Sequence, residues 1–512
     1  MARNNIPLPG QSSDYNSKKS RGLLVNLMVE QNNDGSFRCI KRREGLSVFA
    51  TAADPVCSNI QIDYSLGNIS RALFATTSDI VIAVDNSVLS NQGAHGIADA
   101  EFGVRAIQNT TVLGGASTVQ TLFYRDGSSS GSGSIYDGAI TAITDPDFTG
   151  KNPIGGEFLS NRFIFADRGT DSFFLSDPGD GFVYDPLSTA SADESPGTCS
   201  AIRAVKSNAW IFTESKVEYW QNFNDPTLPL RRVQGASLNI GLNDAALVPP
   251  IDKMQDYIGF VGNDYTVRLI EGSGQRIVSD LDFSLMIMGD GTDEYPAKSI
   301  YPFVSMIDGN EHKYLVVTSF DPAGVFSDIA DFTWVYDITT GESHYRKSPI
   351  KDHWDMYYSS SLTNSRFVGS SQIILMMSHK DFNTGSGFSD PNIYRLESDI
   401  YTDDGEVFEC ILQTGSVSFD QDVVIEYVEL EMETGVGNID SPNPLMTVEY
   451  TKDGGSTWTT WGTVELGASG EGNNRVRMNS FGRLVRHRDF IMKFTVDEPV
   501  RLQFYGAYAE IN

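Results

Sequence analysis

The feature that most constrains this chain is its hydrophobic periodicity. Almost no stretch places apolar residues at i, i+3, i+4 and i+7 for three turns, whereas short runs rich in β-branched and aromatic residues recur between Gly, Asp, Asn, Pro and Ser. A helix needs the first pattern to bury one face, while a strand needs only alternation or a short apolar run. The sequence therefore predicts an all-β protein. Runs at 72–76, 79–84, 118–124, 162–166, 172–176, 209–213, 216–220, 257–261, 265–270, 314–319, 332–336, 372–377 and 392–396 are the expected strands.

A looser repeat lies over these runs: LFATTSDIVIAVDN, FIFADRGTDSFFLSDPGD, AWIFTESKVEYWQNFND, YIGFVGNDYTVRLIEG and DFTWVYDITTGESHYR each couple two apolar strands through a tight turn. A small sheet of four short strands cannot bury both of its faces alone, and radial stacking of several closes the core. We expect a β-propeller over 55–405 with inserted loops, six blades being favoured over five or seven. Segments 127–134 (GSSSGSGS) and 191–197 read as exposed loops. From 406 to 512 the strands lengthen, and Glu429, Glu431 and Glu433 alternate with Val428, Leu430 and Met432. That period of two, one apolar face and one acidic, predicts a separate β-sandwich and an acidic surface or lumen stripe. Residues 1–54 read as an N-terminal arm that docks onto this platform.

Composition removes several function classes. The 512 residues are too many for one ordinary core, and 40% hydrophobic with 11% aromatic residues excludes global disorder. With 67 Asp+Glu against 38 Lys+Arg the net charge is −29, which opposes nonspecific attachment to DNA, RNA or anionic lipid. Cys39, Cys57, Cys199 and Cys410 are far apart and form no CxxC pair, so neither a zinc knuckle nor a disulfide framework is expected, and synthesis in a reducing cytoplasm fits. The opening MARNNIPLPGQSSDYNSKKSRG lacks a signal-peptide core and the apolar run 373–377 is too short to cross a bilayer, so no export address and no membrane-spanning segment are expected.

The sharpest motif is TKDGGSTW, in which Thr451, Asp453, Gly455, Thr457 and Trp458 match an Asp-box: the Asp accepts turn N–H groups, the Gly permits the bend, and the Trp packs below. Such boxes resemble those of sialidase propellers, so a carbohydrate-active or receptor-binding propeller is the alternative function. Glycoside hydrolysis needs two carboxylates straddling one bond, or a Tyr nucleophile with a Glu. Glu214 and Glu218 beside Tyr219, or Asp177 and Asp180, are the nearest sets, and each reads better as solvated surface. His95, His312, His344, His353, His379 and His487 lack metal-site spacing, and Gly131-Ser-Gly133 and Gly272-Ser-Gly274 lack a strand-to-helix context for phosphate. No catalytic, cofactor-binding or metal-binding residue is assigned and no cofactor is expected. Basic clusters at Lys41-Arg42-Arg43, Arg231-Arg232 and RLVRHR, with Arg483, Arg486 and Arg488, are candidate docking points for an acidic neighbour.

The ordered segments resemble the tail nozzle, or tail hub, proteins of short-tailed bacteriophages, also called packaged-DNA stabilisation proteins. The resemblance begins with LLVNLMVE and the turn Arg43-Glu44-Gly45-Leu46, continues through the 167–177 segment DRGTDSFFLSD, Ile211-Phe212, Val217-Glu218-Tyr219-Trp220 and Phe332-Thr-Trp334-Val-Tyr336-Asp337, and ends with the DGG-Trp hairpin and Phe481-Gly482-Arg483-Leu484. Arg43-Glu44 stands where the family has Pro before the glycine, and the 127–134 loop has no counterpart. The resemblance implies a non-enzymatic virion tail component: a six-fold homo-oligomeric ring below the portal and adaptor rings, closed by a needle or plug, flanked by tail fibres or tailspikes, and threaded by double-stranded DNA without specific binding. A carboxylate-lined lumen would repel phosphates and let DNA slide.

Overall fold

The computed structural model describes the chain except for residues 1, 10–21, 33, 60, 63–70, 85–87, 99, 101–103, 110–118, 126–130, 195–196, 224, 226–227, 244–249, 255, 289–296, 308–309, 321–331, 349–373, 378–390, 473–474 and 487. It is almost entirely β, with helices of one or two turns at Pro146–Thr149 and Leu281–Met288 among the described residues. Two compact units are present: Met1–Ser47 with Thr333–Asp352 and Leu396–Asn512, and Val48–Phe332 with His353–Arg395.

The second unit is the propeller. Among its described residues are five antiparallel four-stranded meanders, starting at Gln61–Ile62, Arg105–Gln108, Pro153–Leu159, Cys199–Val205 and Ile251–Met254. A long hairpin, Ala297–Ile307 with Asn310–Phe320, follows them. The first strands of successive meanders are packing neighbours, which is the radial arrangement of blades. Neighbouring blades share one core, so both faces of a blade are buried. Phe165 and Phe174 of the third blade pack with Leu122, Tyr124 and Ile135 of the second, while Ile164, Phe173 and Leu175 pack with Ile202, Ile211 and Trp220 of the fourth. Runs such as Phe163-Ile164-Phe165-Ala166 are apolar throughout because alternate residues serve different neighbours. Each such phenylalanine stabilises the stack by about 1.5–3 kcal/mol.

Inner strands approach closely enough to dictate sequence. Gly155 bulges the first strand of the third blade at φ +55°, and a Cβ there would lie 2.5 Å from the Ala201 Cα. The expected exposed loop at 127–134 is corrected for its second half. Gly133–Tyr136 is a buried strand, the bare α-carbons of Gly131 and Gly133 make room for Phe148, and Ser134 Oγ donates to the His95 carbonyl. Residues 126–130 of that segment lie outside the described ones.

The first unit is the sandwich. One sheet runs Leu27–Gln31, Phe37–Arg42, Gln503–Ile511, Val423–Met432, Val476–Leu484, with Ala2–Ile6 also paired to Gln503–Ile511. The other continues from Ser343–Arg346 through Leu23–Val25, Cys410–Gln413, Ile491–Val496 and Leu445–Thr451 to Thr459–Glu465. Ile6, Leu27, Ile40, Leu412, Val428, Met446, Met478, Phe494 and Phe504 fill the space between them. The repeat DFTWVYDITTGESHYR, read from sequence as a blade, forms an antiparallel hairpin, Phe332–Asp337 with Ser343–Arg346, whose second strand also pairs in parallel with Leu23–Val25, Val25 facing Tyr345.

Lys41-Arg42-Arg43 is likewise not a docking patch. All three residues are buried. Arg43 grips Asp403 in a bidentate pair at 3.0 and 2.6 Å, donates through Nε to the Asn26 carboxamide oxygen at 2.8 Å, and lies 3.7 Å over the Phe408 ring. Arg42 donates to the carbonyls of Tyr401, Phe408 and Val500, and Lys41 pairs with Glu30 at 2.8 Å. The two arginines hold N-terminal strands to C-terminal segments inside a single unit, and Lys41 joins two N-terminal strands. Replacing Asp403 by Ala leaves the Arg43 guanidinium buried without its counter-charge, and we expect about 3–5 kcal/mol of lost stability. Exposed Glu406→Ala should change stability by less than about 0.5 kcal/mol. Urea unfolding followed by circular dichroism compares the two.

Candidate functional site

A propeller enzyme places its reactive groups where inner strands converge, so that position is decisive. Here the inner strands of four blades contribute Arg105, Glu157, Arg203, Asp252 and Lys253. Lys253 Nζ is 2.7 Å from Glu157, Arg105 is 3.5 Å from Asp252, and Arg203 Nε is 3.8 Å from Asp252. Arg203 is fully buried and donates to the carbonyls of Gly155 and Ile251 at 3.0 and 2.8 Å, pegging three successive inner strands together. Burial pushes the Glu157 carboxyl up, but the Lys253 ammonium and Arg203 guanidinium outweigh it and hold the group below its ordinary value. A general acid needs the opposite shift. Each carboxylate of the layer is paired with a cation, which suits a structural peg. In sequence, the signal is one charge inside an apolar run in CSAIRAV and PIGGEFL and an adjacent Asp-Lys pair in IDKM, each of which reads alone as a strand-end charge.

The carboxylates considered for glycoside chemistry are employed elsewhere. Glu218 is buried and accepts from the Trp220 indole and the Glu194 amide, each at 2.9 Å, with Arg232 at 3.9 Å. Glu214 is exposed and accepts from Thr198 Oγ1 at 2.5 Å. Asp177 and Asp180 face each other across a tight turn, where Asp180 accepts the Phe182 amide at 2.9 Å. Arg232 reaches Asp193 at 2.7 Å and Arg231 lies 3.6 Å from Asp225.

Among the described residues no group of three His, Cys, Asp or Glu is arranged to hold a metal ion. His95, His312 and His344 are buried, and His353, His379 and His487 lie outside the described residues. His95 Nδ1 accepts the Ile97 amide at 2.9 Å, so Nε2 carries the proton toward the Thr76 carbonyl; burial lowers its pKa. The four cysteines are buried thiols, and burial pushes Cys410 up to about 11.

The Asp-box forms as a closed turn. Asp453 accepts from Thr451 Oγ1 at 2.6 Å, Thr457 N at 2.9 Å and Thr457 Oγ1 at 2.6 Å, while Gly454 and Gly455 take φ +72° and +97°. Those donors, the Thr451 and Thr457 hydroxyls foremost, lower the Asp453 pKa to about 2. Trp458 is half-buried under Lys493, 5.2 Å from its ring, and so does not enter the main core.

Beside this hairpin, Arg483, Arg486 and Arg488 are exposed. Asp422 binds both the Arg483 guanidinium and the Arg486 amide, the latter at 2.8 Å, and these contacts hold its carboxyl below the ordinary value. On the Val423–Met432 strand, Val428 and Leu430 point inward, as the alternation predicts. Glu431 is exposed, whereas Glu429 and Glu433 lie 3.9 and 3.3 Å from Arg475 and Arg501, so the stripe is partly charge-paired.

Both units match family models. Residues 99–279 match the model described as Bacteriophage P22 Gp10, beta-propeller, and residues 409–512 match Bacteriophage P22 Gp10, beta-sandwich, together more than half of the chain. The chain belongs to the P22 Gp10 family of phage tail nozzle proteins. It is a structural component of the virion tail, in a family that stabilises packaged DNA. None of the curated proteins matches the chain. Among solved structures, an exo-β-1,3-galactanase from Phanerochaete chrysosporium aligns at 10% identity over 99% of this chain and 100% of its own, with a TM-score of 0.21. The N-terminal domain of Nup159 aligns at 10% identity over 73% of this chain and 98% of its own, TM-score 0.37. The S. cerevisiae core factor aligns at 10% identity over 74% and 62%, TM-score 0.38. These likenesses carry no functional weight, and the tail-nozzle assignment rests on the two family matches.

Two outcomes follow from the site geometry. Asp453 has a folded pKa below its ordinary 3.8, so its contribution to the hairpin is complete above about pH 4 and is lost as pH falls through about 2. Hydrogen exchange at the Thr457 amide should accelerate over that window, beyond the intrinsic rate, and Asp453→Asn should flatten the dependence. Glu218→Ala leaves the Trp220 indole and the Glu194 amide without their acceptor, costing about 1–3 kcal/mol for each buried donor. Thermal unfolding reads this loss, and a fluorogenic glycoside assay should give the same blank for wild type and variant.

Proposed function

We propose that this tail-nozzle protein assembles as a six-fold ring below the portal and adaptor rings and continues the DNA channel there. A needle or plug retains the packaged genome, tail fibres or tailspikes flank the ring, and double-stranded DNA slides through at ejection without specific binding. The observation that carries the reading is the co-occurrence, in one chain, of the propeller and sandwich models of the same phage tail protein. In this account the chain makes and breaks no bond, and its work is geometric. Closed cyclic symmetry needs only two complementary surfaces per copy. The net charge of −29 per copy supports the reading, since surplus carboxylates facing a lumen repel phosphates where Lys and Arg would hold them. Native mass spectrometry of the purified protein tests the ring, with a hexamer expected and a strict monomer at every concentration opposing it.

Arg483, Arg486 and Arg488 are the proposed docking surface toward an acidic neighbour, and Glu429, Glu431 and Glu433 the proposed water- or lumen-facing acidic stripe. Within the chain Asp422 already engages Arg483 and caps the Arg486 amide, which leaves the Arg486 and Arg488 side chains the freer to reach outward. Arg486→Glu with Arg488→Glu, which spares the Asp422 contact to Arg483, should weaken ring formation measured by light scattering. Wild-type assembly should weaken as salt rises, because exposed charges are screened beyond about 8–10 Å at physiological ionic strength. Assembly equal to wild type at every salt concentration would remove these arginines from the interface.

A further inference from the structure

The strand Val476–Leu484 ends its sheet, pairing on one side with Val423–Met432. An edge strand offers a row of unpaired main-chain groups as a template for pairing with another chain. Here side chains from the facing sheet cover that row. Lys452 Nζ donates to the carbonyls of Phe481 and Arg483, the second at 3.1 Å, and the Trp461 indole donates to the carbonyl of Asn479 at 2.8 Å. Val424 exchanges both of its main-chain hydrogen bonds with Asn512 on its other side, so the Arg483 carbonyl opposite it faces the free edge. The donors lie at the two ends of the Asp-box hairpin: Lys452 inside the turn, Trp461 on the Thr459–Glu465 strand that leaves it. The strand is also kinked. Its register with Val423–Met432 shifts between Ile425 and Tyr427, and Ser480 and Gly482 take φ +72° and +75°. A bulge that bends an edge strand opposes pairing from outside.

We propose that Lys452 and Trp461 close this edge to strand addition by a second copy of the same chain, so that copies meet through side-chain surfaces and not by sheet extension. The Asp-box gains a role through this arrangement: the closed turn at Asp453 sets the position from which Lys452 reaches two carbonyls. Trp461 is half-buried and packs against the sandwich core, and Lys452 is partly exposed.

The test compares wild type, Lys452→Met, Trp461→Phe and the double variant by sedimentation velocity across a concentration series, with thioflavin fluorescence and far-ultraviolet circular dichroism on the same samples. Methionine keeps the stem of Lys452 without its donors, and phenylalanine keeps an aromatic ring without the indole N–H. The double variant should shift from the wild-type assembly state to larger species that grow with concentration, persist in high salt and bind thioflavin. Lys452→Arg, which keeps donors, should sediment as wild type. A folded double variant that sediments as wild type at every concentration overturns the proposal. If the double variant does not fold, Lys452→Met alone is read by the same criterion. Association that salt disperses would also overturn it, because strand pairing through main-chain groups is not an ion-pair contact.

Discussion

The propeller unit depends on one constraint: a four-stranded blade has two apolar faces and can cover neither by itself. Each blade is stable only through both neighbours, and the shared cores show the consequence residue by residue. Phe174 turns to the second blade and Phe173, next in sequence, to the fourth. Tyr124, Phe148, Phe165, Phe174 and Tyr184 meet through ring pairs 5.0–6.4 Å apart in the gap between the second and third blades. Stability on this plan comes from stacking. The inner strands can then carry charges, since Glu157 pairs with Lys253 and Asp252 lies beside Arg203 and Arg105 while Arg203 pins adjacent blades.

The sandwich unit solves a different problem, that its strands come from distant parts of the chain. Arg43 and Asp403 are 360 positions apart and meet at 2.6 Å with both side chains excluded from water. Asn26, at φ +55°, accepts from Arg43 through its side chain and donates its amide to the Tyr345 carbonyl, so three separate segments converge on one buried polar network. A charge network of this kind is expensive to bury unless complete, which favours one pairing of strands over its alternatives.

These two solutions differ in how far the sequence displays them. Blades are legible because their signal is local: two-faced apolar strands, tight turns, and a repeat that returns. The sandwich alternation at Val428, Glu429, Leu430 and Glu431 is local too. What escaped was non-local. Lys41-Arg42-Arg43 reads as a solvated patch until Asp403 and the carbonyls of Phe408 and Val500 are beside it. The 332–346 strand pair is legible as a hairpin, but nothing within it reports the further parallel partner at Leu23–Val25. The Asp-box was legible as a turn, but the reach of Lys452 and Trp461 to the next sheet depends on how two sheets face each other, which no spacing encodes.

A tail nozzle is a structural part, and the described residues suit that role through buried pegs and closed turns. The claim most worth testing is that copies of this chain form a conduit. A reconstruction of the intact virion tail, with this chain fitted into the density, does so most directly. The account predicts six copies around a continuous axial channel, with side chains facing the channel predominantly acidic. Density placing the chain off the axis, or a channel wall lined by Lys and Arg, would contradict it.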